Sequence, residues 1–427
     1  MQIVKQAFLD RRQFMINSGW LAAGVTMLAS CSPIYSALPA LPSTDNPNWA
    51  EAVTWIQVLP DGTIRFYCPR MEMGQGAVVG LSQVVAEELN VGSNEIECIR
   101  PNTQNIPRFK MTVGSESISN FFDPVSRASA SIREVLRRMA MEKTNFELSK
   151  IKDARGGFLL PDGQRLGYAM LVENSPKILK EEDIALNGDD LPRYALKKQG
   201  KYQEIGRNWK HHELEAIITG KPLYARDASV LGMLYGQVLR PPAYGAKLVG
   251  VEGQPAISMP GVVAVVIDIK TDFVGVVVQH PSQLIAALGR IKIKWSKPIN
   301  QSQRSLDQRL NVERIRETGE FEHTLVSQGV VNNREAQSKH QIEGLFETSF
   351  AAHAAMEPRA AIVSVKKENA EVWCGSQDPF FVQRRVAKAI GRSASSVIVQ
   401  PHRMGGAFGG RVPCQASEEA ALLSQAV

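Results

Sequence analysis

Two glycine-rich loops, each standing between a strand-forming run and an amphipathic helix, constrain this chain more than any other feature. The first is Met71-Glu72-Met73-Gly74-Gln75-Gly76. It follows β-rich runs at residues 53–58 and 63–68, which Pro60-Asp61-Gly62 joins as a hairpin turn. After it, Val78, Leu81, Val85 and Leu89 recur at spacings of three and four, so one helix face packs inward and Ser82, Gln83 and Glu87 are expected on the wet side. The second loop, Gly405-Gly406-Ala407-Phe408-Gly409-Gly410-Arg411, follows a strand at 397–400 and precedes a helix over 417–427. Backbone N–H groups at such a junction can hold a phosphate or pyrophosphate, and glycine lets the ligand come close. The first loop is a poor dinucleotide fingerprint, because residues 69–73 separate the strand from the first glycine, whereas a Rossmann turn follows its strand directly. Taken singly, either loop also reads as an ordinary glycine turn.

Around these loops the chain alternates in texture. A second helix should start at Asp123-Pro124, with the aspartate as cap, and bury Val125, Ala128, Ile132, Val135 and Met139. Residues 145–210 are charged, turn-rich and weakly periodic, and read as a peripheral insertion or linker. A separate α+β unit is expected over 221–295, with strands at 262–269 and 274–278. The polar stretch 296–341 reads as a boundary. Beyond it come strands at 361–365 and 372–374 and a helix over 379–390, capped by Asp378 and stopped by Gly391. A length of 427 residues, against roughly 150 for a typical domain, agrees with two or three packed units.

Charge and cysteine usage exclude several function classes. The net charge of +6 is spread along the chain, so the clustered basic surface that a nucleic-acid partner needs is missing. Cysteines 31, 68, 98, 374 and 414 form no CxxC and no Cys/His ligand spacing, which argues against a structural zinc or an iron-sulfur cluster held by this chain. One or two disulfides stay open in an oxidising compartment. Lys5 and the pair Arg11-Arg12 precede an apolar stretch at 19–29, too short for a permanent membrane helix of about 20 residues. This resembles a twin-arginine signal, which exports folded protein to the periplasm. Leu28-Ala29-Ser30-Cys31 resembles a bacterial lipobox with Cys31 as the lipidated residue, and small-residue cleavage near Ser36-Ala37 is the rival.

Read in order, Met71 to Gly76, Gln83-Val84-Val85-Ala86-Glu87-Glu88-Leu89, His353-Ala354-Ala355-Met356-Glu357-Pro358, Gln377-Asp378-Pro379 and Gly405 to Arg411 resemble the molybdopterin-binding large subunits of xanthine dehydrogenase-like enzymes, in particular the isoquinoline 1-oxidoreductase beta subunits. Pro222-Leu223-Tyr224-Ala225-Arg226-Asp227 and Pro260-Gly261-Val262 resemble their small α/β hammerhead domain. The resemblance implies an α+β fold in which molybdopterin-binding segments flank that domain. On this reading, 1–31 is the signal peptide, 32–48 a tether, 49–145 a molybdopterin-binding segment and 146–212 a linker or insertion. Residues 213–300 form the hammerhead, 301–340 a linker and 341–427 the second molybdopterin-binding segment.

The resemblance further implies a molybdenum hydroxylase that adds water-derived oxygen to an aldehyde or an N-heteroaromatic carbon. Its cofactor would be molybdopterin, in the cytosine dinucleotide form, with molybdenum, and its electrons would pass to a small iron-sulfur subunit. The pterin dithiolene holds the metal, so no Cys/His cluster is required of the protein. Amides around Phe408 and Gly409, within the loop that also contains Gly405 and Gly406, would face the metal's ligands, and Gln377 would donate to an oxo group. The competing reading of Gln377 is a solvated turn residue. Gln75 and Gly76 would grip the pterin or its phosphates, and Arg411 is either a phosphate contact or a surface salt bridge. His353 reads as a hydrogen-bonded core histidine rather than a metal ligand, Glu357 as a buried acceptor of backbone N–H groups, and His211-His212 as surface.

One departure from the family pattern stands out. The family's general-base glutamate lies in a Gly-Glu motif near the end of longer chains, and no such segment is found here. The chain is therefore expected to be the N-terminal half of an enzyme, inactive and poorly soluble or cofactor-deficient alone, with Ala420, Leu423 and Val427 forming an apolar helix face that lacks its partner. An inactive exported binding or assembly protein that keeps the fold is the alternative.

Overall fold

The computed structural model describes residues 53–172, 195–319, 339, 340, 342, 344 and 346–427, and the backbone of a two-residue strand at 25–26. The twin-arginine pair, Cys31, the tether and parts of both expected linkers lie outside the described residues. The chain divides into one unit of residues 1–233 and 353–427 and a second of 234–352. These boundaries differ from those expected at 213 and 300. No helix among the described residues is long and apolar enough to cross a membrane.

In the first unit, β1 (Val25–Thr26), β2 (Ile56–Val58) and β3 (Ile64–Tyr67) pair antiparallel. Asp61, in the turn between β2 and β3, accepts a hydrogen bond from the Thr63 N–H at 2.9 Å. The first glycine loop then leads into α1 (Ala77–Leu89), which returns the chain to β4 (Ile96–Ile99), parallel to β3. The long α2 (Phe122–Thr144) packs on α1 and buries the expected Val125, Ala128, Ile132, Val135 and Met139. Its N-cap is Phe121. Asp123 sits inside the first turn instead, paired with Arg127 at 2.7 Å.

Two expectations fail here. Residues 152–172 are no peripheral insertion: β5 (Lys152–Ala154), β6 (Gly157–Leu159) and β7 (Arg165–Gly167) form a meander that runs into α3 (Tyr168–Val172). Phe158, Leu166, Tyr168 and Val172 from this stretch join the main core around Trp55, Phe66 and Phe121. Nor do Ser82 and Glu87 face water, being only 2% and 4% exposed. The Glu87 carboxylate accepts N–H bonds from Gln203, Glu204 and Ile205 at 2.7, 2.7 and 3.2 Å, while Gln83 donates to the carbonyls of Glu204 and Arg207. A carboxylate satisfied by three backbone donors can be buried. A short α4 (Leu214–Ile218) also belongs to this unit.

The second unit is built from β8 (Tyr235–Val238), β9 (Leu248–Glu252), α5 (Gln254–Ile257), β10 (Val262–Asp268), β11 (Phe273–Val278), α6 (Leu284–Gly289) and β12 (Lys292–Trp295). The antiparallel order is β10-β11-β8, with β12 and β9 as a second pair. Central β11 is buried along its whole length, as its unbroken apolar run requires. Two helices, α7 (Gln303–Arg309) and α8 (Val312–Thr318), occupy a stretch expected to be linker.

The chain re-enters the first unit through β13 (Ala361–Val365) and β14 (Ala370–Cys374). Next come α9 (Pro379–Ala389), capped by Asp378 through the Phe381 N–H at 2.9 Å, and β15 (Val397–Pro401), parallel to β14. After the second glycine loop, α10 (Gln415–Gln425) packs on β13 and α9. Its buried residues are Ser417, Ala421 and Leu423; of the apolar face expected to lack a partner, Leu423 is buried, Ala420 half-buried and Val427 55% exposed.

Candidate molybdopterin-binding site

Fold and hydrogen bonding bring the two glycine loops and the turn after β14 together. The Met404 N–H donates to the Glu72 carbonyl at 3.0 Å, joining the second loop to the first. Gln377, 2% exposed, ties the turn to both neighbours. Its side-chain amide donates to the Thr112 carbonyl at 2.8 Å and accepts from the Arg411 N–H at 3.1 Å. Its backbone N–H donates to the Arg411 carbonyl at 3.0 Å, and its carbonyl accepts from the Thr112 N–H at 2.9 Å. Gln377 is therefore not a solvated turn residue. One hydrogen of its side-chain NH₂ is committed to Thr112 and one is left to donate.

The second loop is held at both ends by one buried carboxylate. Glu357 Oε2 accepts from the Gly405 N–H at 2.8 Å and pairs with Arg411 Nη1 at 3.0 Å. Arg411 Nη2 donates to the Glu357 carbonyl, the Glu357 N–H donates to the Gly405 carbonyl at 3.2 Å, and Arg359 donates to the Gly410 carbonyl at 2.8 Å. Arg411 is 3% exposed and paired with Glu357, so it is not a surface salt bridge. Glu357 fills its expected role. His353 is exposed rather than core, lying against Gly410 so closely that a Cβ there would meet its Cγ at 2.8 Å.

Between those ends the backbone is unusual. Gly406 and Gly409 have φ of 94° and 88°, and Phe408, without glycine's freedom, has φ 53° and is 71% exposed. The N–H groups of Gly406, Ala407, Phe408 and Gly409 have no acceptor among the described residues. Consecutive unspent amides at a turn form an anion-binding concavity. That donor set fits the anionic oxygens of a molybdopterin.

The first loop is in a different state. Glu72, 3% exposed, places Oε1 within hydrogen-bond reach of the Gly74 and Gly76 N–H groups at 2.9 and 3.1 Å. Gln75 folds back, accepting from the Met73 N–H and donating to the Met71 carbonyl, each at 2.8 Å. The Gly76 amide expected to grip a phosphate is thus engaged by an internal carboxylate, and the Gln75 side chain serves its own loop. Sequence pattern alone did not single out Glu72; its place two residues before the first glycine is the only signal it carries.

Beside this loop lies a charge network that periodicity also did not reveal. Glu213 bridges Arg100 and Arg403, the latter at 2.7 Å, while His211 Nε2 faces Glu72 Oε2 at 3.7 Å. His212 is exposed as expected, but His211 and Glu213 are largely enclosed. Burial acts to raise the Glu213 carboxyl, yet Arg100 and Arg403 outweigh it and hold the group below its ordinary value. His211, His212 and Glu213 offer ligand atoms within 4.8 Å of one another. The two rings, however, stack with planes 17° apart, which keeps their lone pairs from converging, and His211 Nδ1 already accepts from the Glu213 N–H at 3.1 Å. The arrangement is an ion-pair network rather than a metal centre. An adjoining cavity of about 80 Å³, lined in part by Cys68, Arg70, Glu72, Cys98 and Arg100, is too small for a pterin and suits a few waters.

Comparison with known proteins agrees with this geometry. Molybdopterin cofactor-binding domains match residues 5–216 and 316–427, covering both glycine loops and most of the chain. A nicotinate dehydrogenase subunit of Pseudomonas putida is 26% identical over 385 residues, 88% of this chain and 31% of that protein. The beta subunit of isoquinoline 1-oxidoreductase from Brevundimonas diminuta is 24% identical over 465 residues, 98% of this chain and 58% of that protein. A membrane-bound aldehyde dehydrogenase (pyrroloquinoline-quinone) of Gluconacetobacter polyoxogenes is 25% identical over 434 residues, 99% of this chain and 55% of that protein. The chain thus spans about a third to three fifths of the length of these relatives. By its two cofactor-binding domain matches and the ordered motifs that the fold gathers into one place, the chain belongs to the molybdopterin-binding subunits of the xanthine dehydrogenase family.

Proposed function

We propose that this chain is the molybdopterin-binding part of a molybdenum hydroxylase that oxidises an aldehyde or an N-heteroaromatic carbon with oxygen derived from water. The observation that carries the reading is the run of four unspent amides at 406–409. When bound, the cofactor supplies the two-electron oxidation chemistry that no side chain provides. The work of this chain is then binding and aim. Amides of the second loop hold anionic oxygens, and the second amide hydrogen of Gln377 is kept for a polar atom of the cofactor by the bond that fixes its partner to Thr112. Preformed donors of this kind cost no reorganisation when charge develops.

Relatives named for nicotinate, isoquinoline and aldehyde support the substrate class. The proposed cofactor form is the cytosine dinucleotide, and the proposed electron acceptor is a separate small iron-sulfur subunit, since the cysteines here have no cluster spacing. The test is molybdenum and pterin content of the chain from a cell that makes the cofactor, produced alone and together with the remaining sequence of a relative. Pterin is expected at least in the second sample, with dye-linked oxidation of an aldehyde or N-heterocycle. Folded chain that holds neither metal nor pterin in both samples overturns the reading and favours a binding or assembly protein.

Export through Arg11-Arg12, with a lipid on Cys31, completes the proposal. Replacing both arginines by lysine should retain the chain in the cytoplasm, and the intact mass of the mature protein should start at a lipidated Cys31. Normal periplasmic recovery of the lysine variant, or a mature N-terminus near Leu38 without lipid, contradicts the respective assignment.

A further inference from the structure

We infer that Glu357 and Arg411 are a positioning pair that keeps the amides of Gly406 to Gly409 unspent and aimed, and that Arg411 is not itself a ligand; this rests on the molybdopterin reading above. The pair is poorly explained by stability. Both partners are almost fully enclosed, with side-chain exposures of 4% and 8%. Glu357 Oε1 and Arg411 Nε are buried and have no hydrogen-bond partner among the described residues, so within these the pair leaves two polar atoms unsatisfied. Replacing a buried ion pair by apolar side chains of similar volume is often neutral or stabilising. A cost accepted in the fold points to what the pair does for its surroundings.

Its surroundings are the loop. Glu357 Oε2 receives the Gly405 N–H at one end and Arg411 Nη1 at the other, so a single oxygen spans the segment. A Cβ on Gly405 would meet the Glu357 Cβ at 2.6 Å, which shows how tightly the clasp closes. With both ends fixed, Phe408 is held at positive φ, a strained conformation for a residue with a side chain. A relaxed loop would turn its four amides toward water or toward each other. The guanidinium, neutralised by Glu357, adds no free charge to the concavity. Recognition of an anionic ligand then depends on the direction of the amides, which is selective, rather than on a mobile cation, which is not.

The test compares thermal midpoint with pterin retained per folded molecule, in whichever sample of the wild-type chain holds pterin. In Glu357→Leu/Arg411→Met the midpoint should stay within a few degrees or rise, while pterin content falls at least tenfold. Glu357→Gln, which keeps an acceptor for Gly405 but loses the charge pair, should show a smaller loss. A purely structural pair would move the midpoint and leave retention per folded molecule unchanged. Full pterin content in either folded variant overturns the inference without touching the molybdopterin reading, whereas a pterin-free wild type sinks that reading first. One measurement needs no variant. Trypsin should cut the folded wild-type chain after Arg411 at least tenfold more slowly than after exposed arginines such as Arg207, and rapid cleavage there would show that the clasp is not closed.

Discussion

Glu87 illustrates how a single residue can be misplaced by periodicity and corrected by hydrogen bonding. Its position on the helix marks it as outward, and it does point away from the apolar stripe. What it meets there is the backbone of residues 203–205, whose three N–H groups it accepts. Glu88 behaves similarly, pairing with Arg133 at 2.8 Å and accepting from Ser126 at 2.9 Å. Glu87→Ala should leave three donors without an acceptor and cost about 3 kcal/mol, with Glu87→Gln recovering part of it. Urea denaturation of the two variants measures this. A loss below about 0.5 kcal/mol for the alanine variant, the scale of an ordinary surface change, would mean that the tie is replaced by water.

At the scale of elements, the stretch from His211 to Glu213 and the end of β15 make stability depend on pH. Burial holds the His402 imidazole below its ordinary 6.5, against the pull of the Leu223 carbonyl. A histidine kept neutral in the fold contributes stability that is complete above the unfolded value and is lost as pH falls below it. Glu213, held low by its arginines in spite of burial, contributes stability that is complete above about 4.5 and fades as acid protonates it. The thermal midpoint is therefore expected to be level above pH 6.5 and to fall in two stages, one starting near 6.5 and a second below 4.5. His402→Gln should weaken the first stage and leave the second. A midpoint unchanged between about pH 7 and 5 would contradict the histidine assignment.

The whole molecule consists of two units with unequal cores. The first buries Trp55, Phe66, Phe121, Phe158 and Tyr168 among many aliphatic side chains, whereas the enclosed core of the second is Leu248, Ala256, Val274, Val276, Val278, Ala287 and Ile291. Stabilisation scales with apolar area at roughly 25 cal/mol per Å², so the second unit, without a fully enclosed aromatic in that cluster, is the weaker one. Urea titration followed by hydrogen exchange should show residues 234–319 losing protection before residues 53–172. Coincident loss across both would show that the units unfold as one.

What the sequence determined by itself follows local rules. The hairpin before the first loop, α1 with its inward stripe, the Asp378 cap of α9 and the ordered motifs that mark the family all depend on neighbours within a few positions. Separations in the chain hide the rest. Gln377 meets Thr112 across 265 positions, Arg403 meets Glu213 across 190 and Arg411 meets Glu357 across 54. Whether a polar side chain is solvated or buried depends on what the fold sets against it. Glu87 and Arg411 look like surface residues until the tertiary structure supplies their partners, and Gly76 looks like a free donor until Glu72 is found beside it. Residue type and spacing set out the two glycine loops; only packing decided which of them keeps its amides unspent.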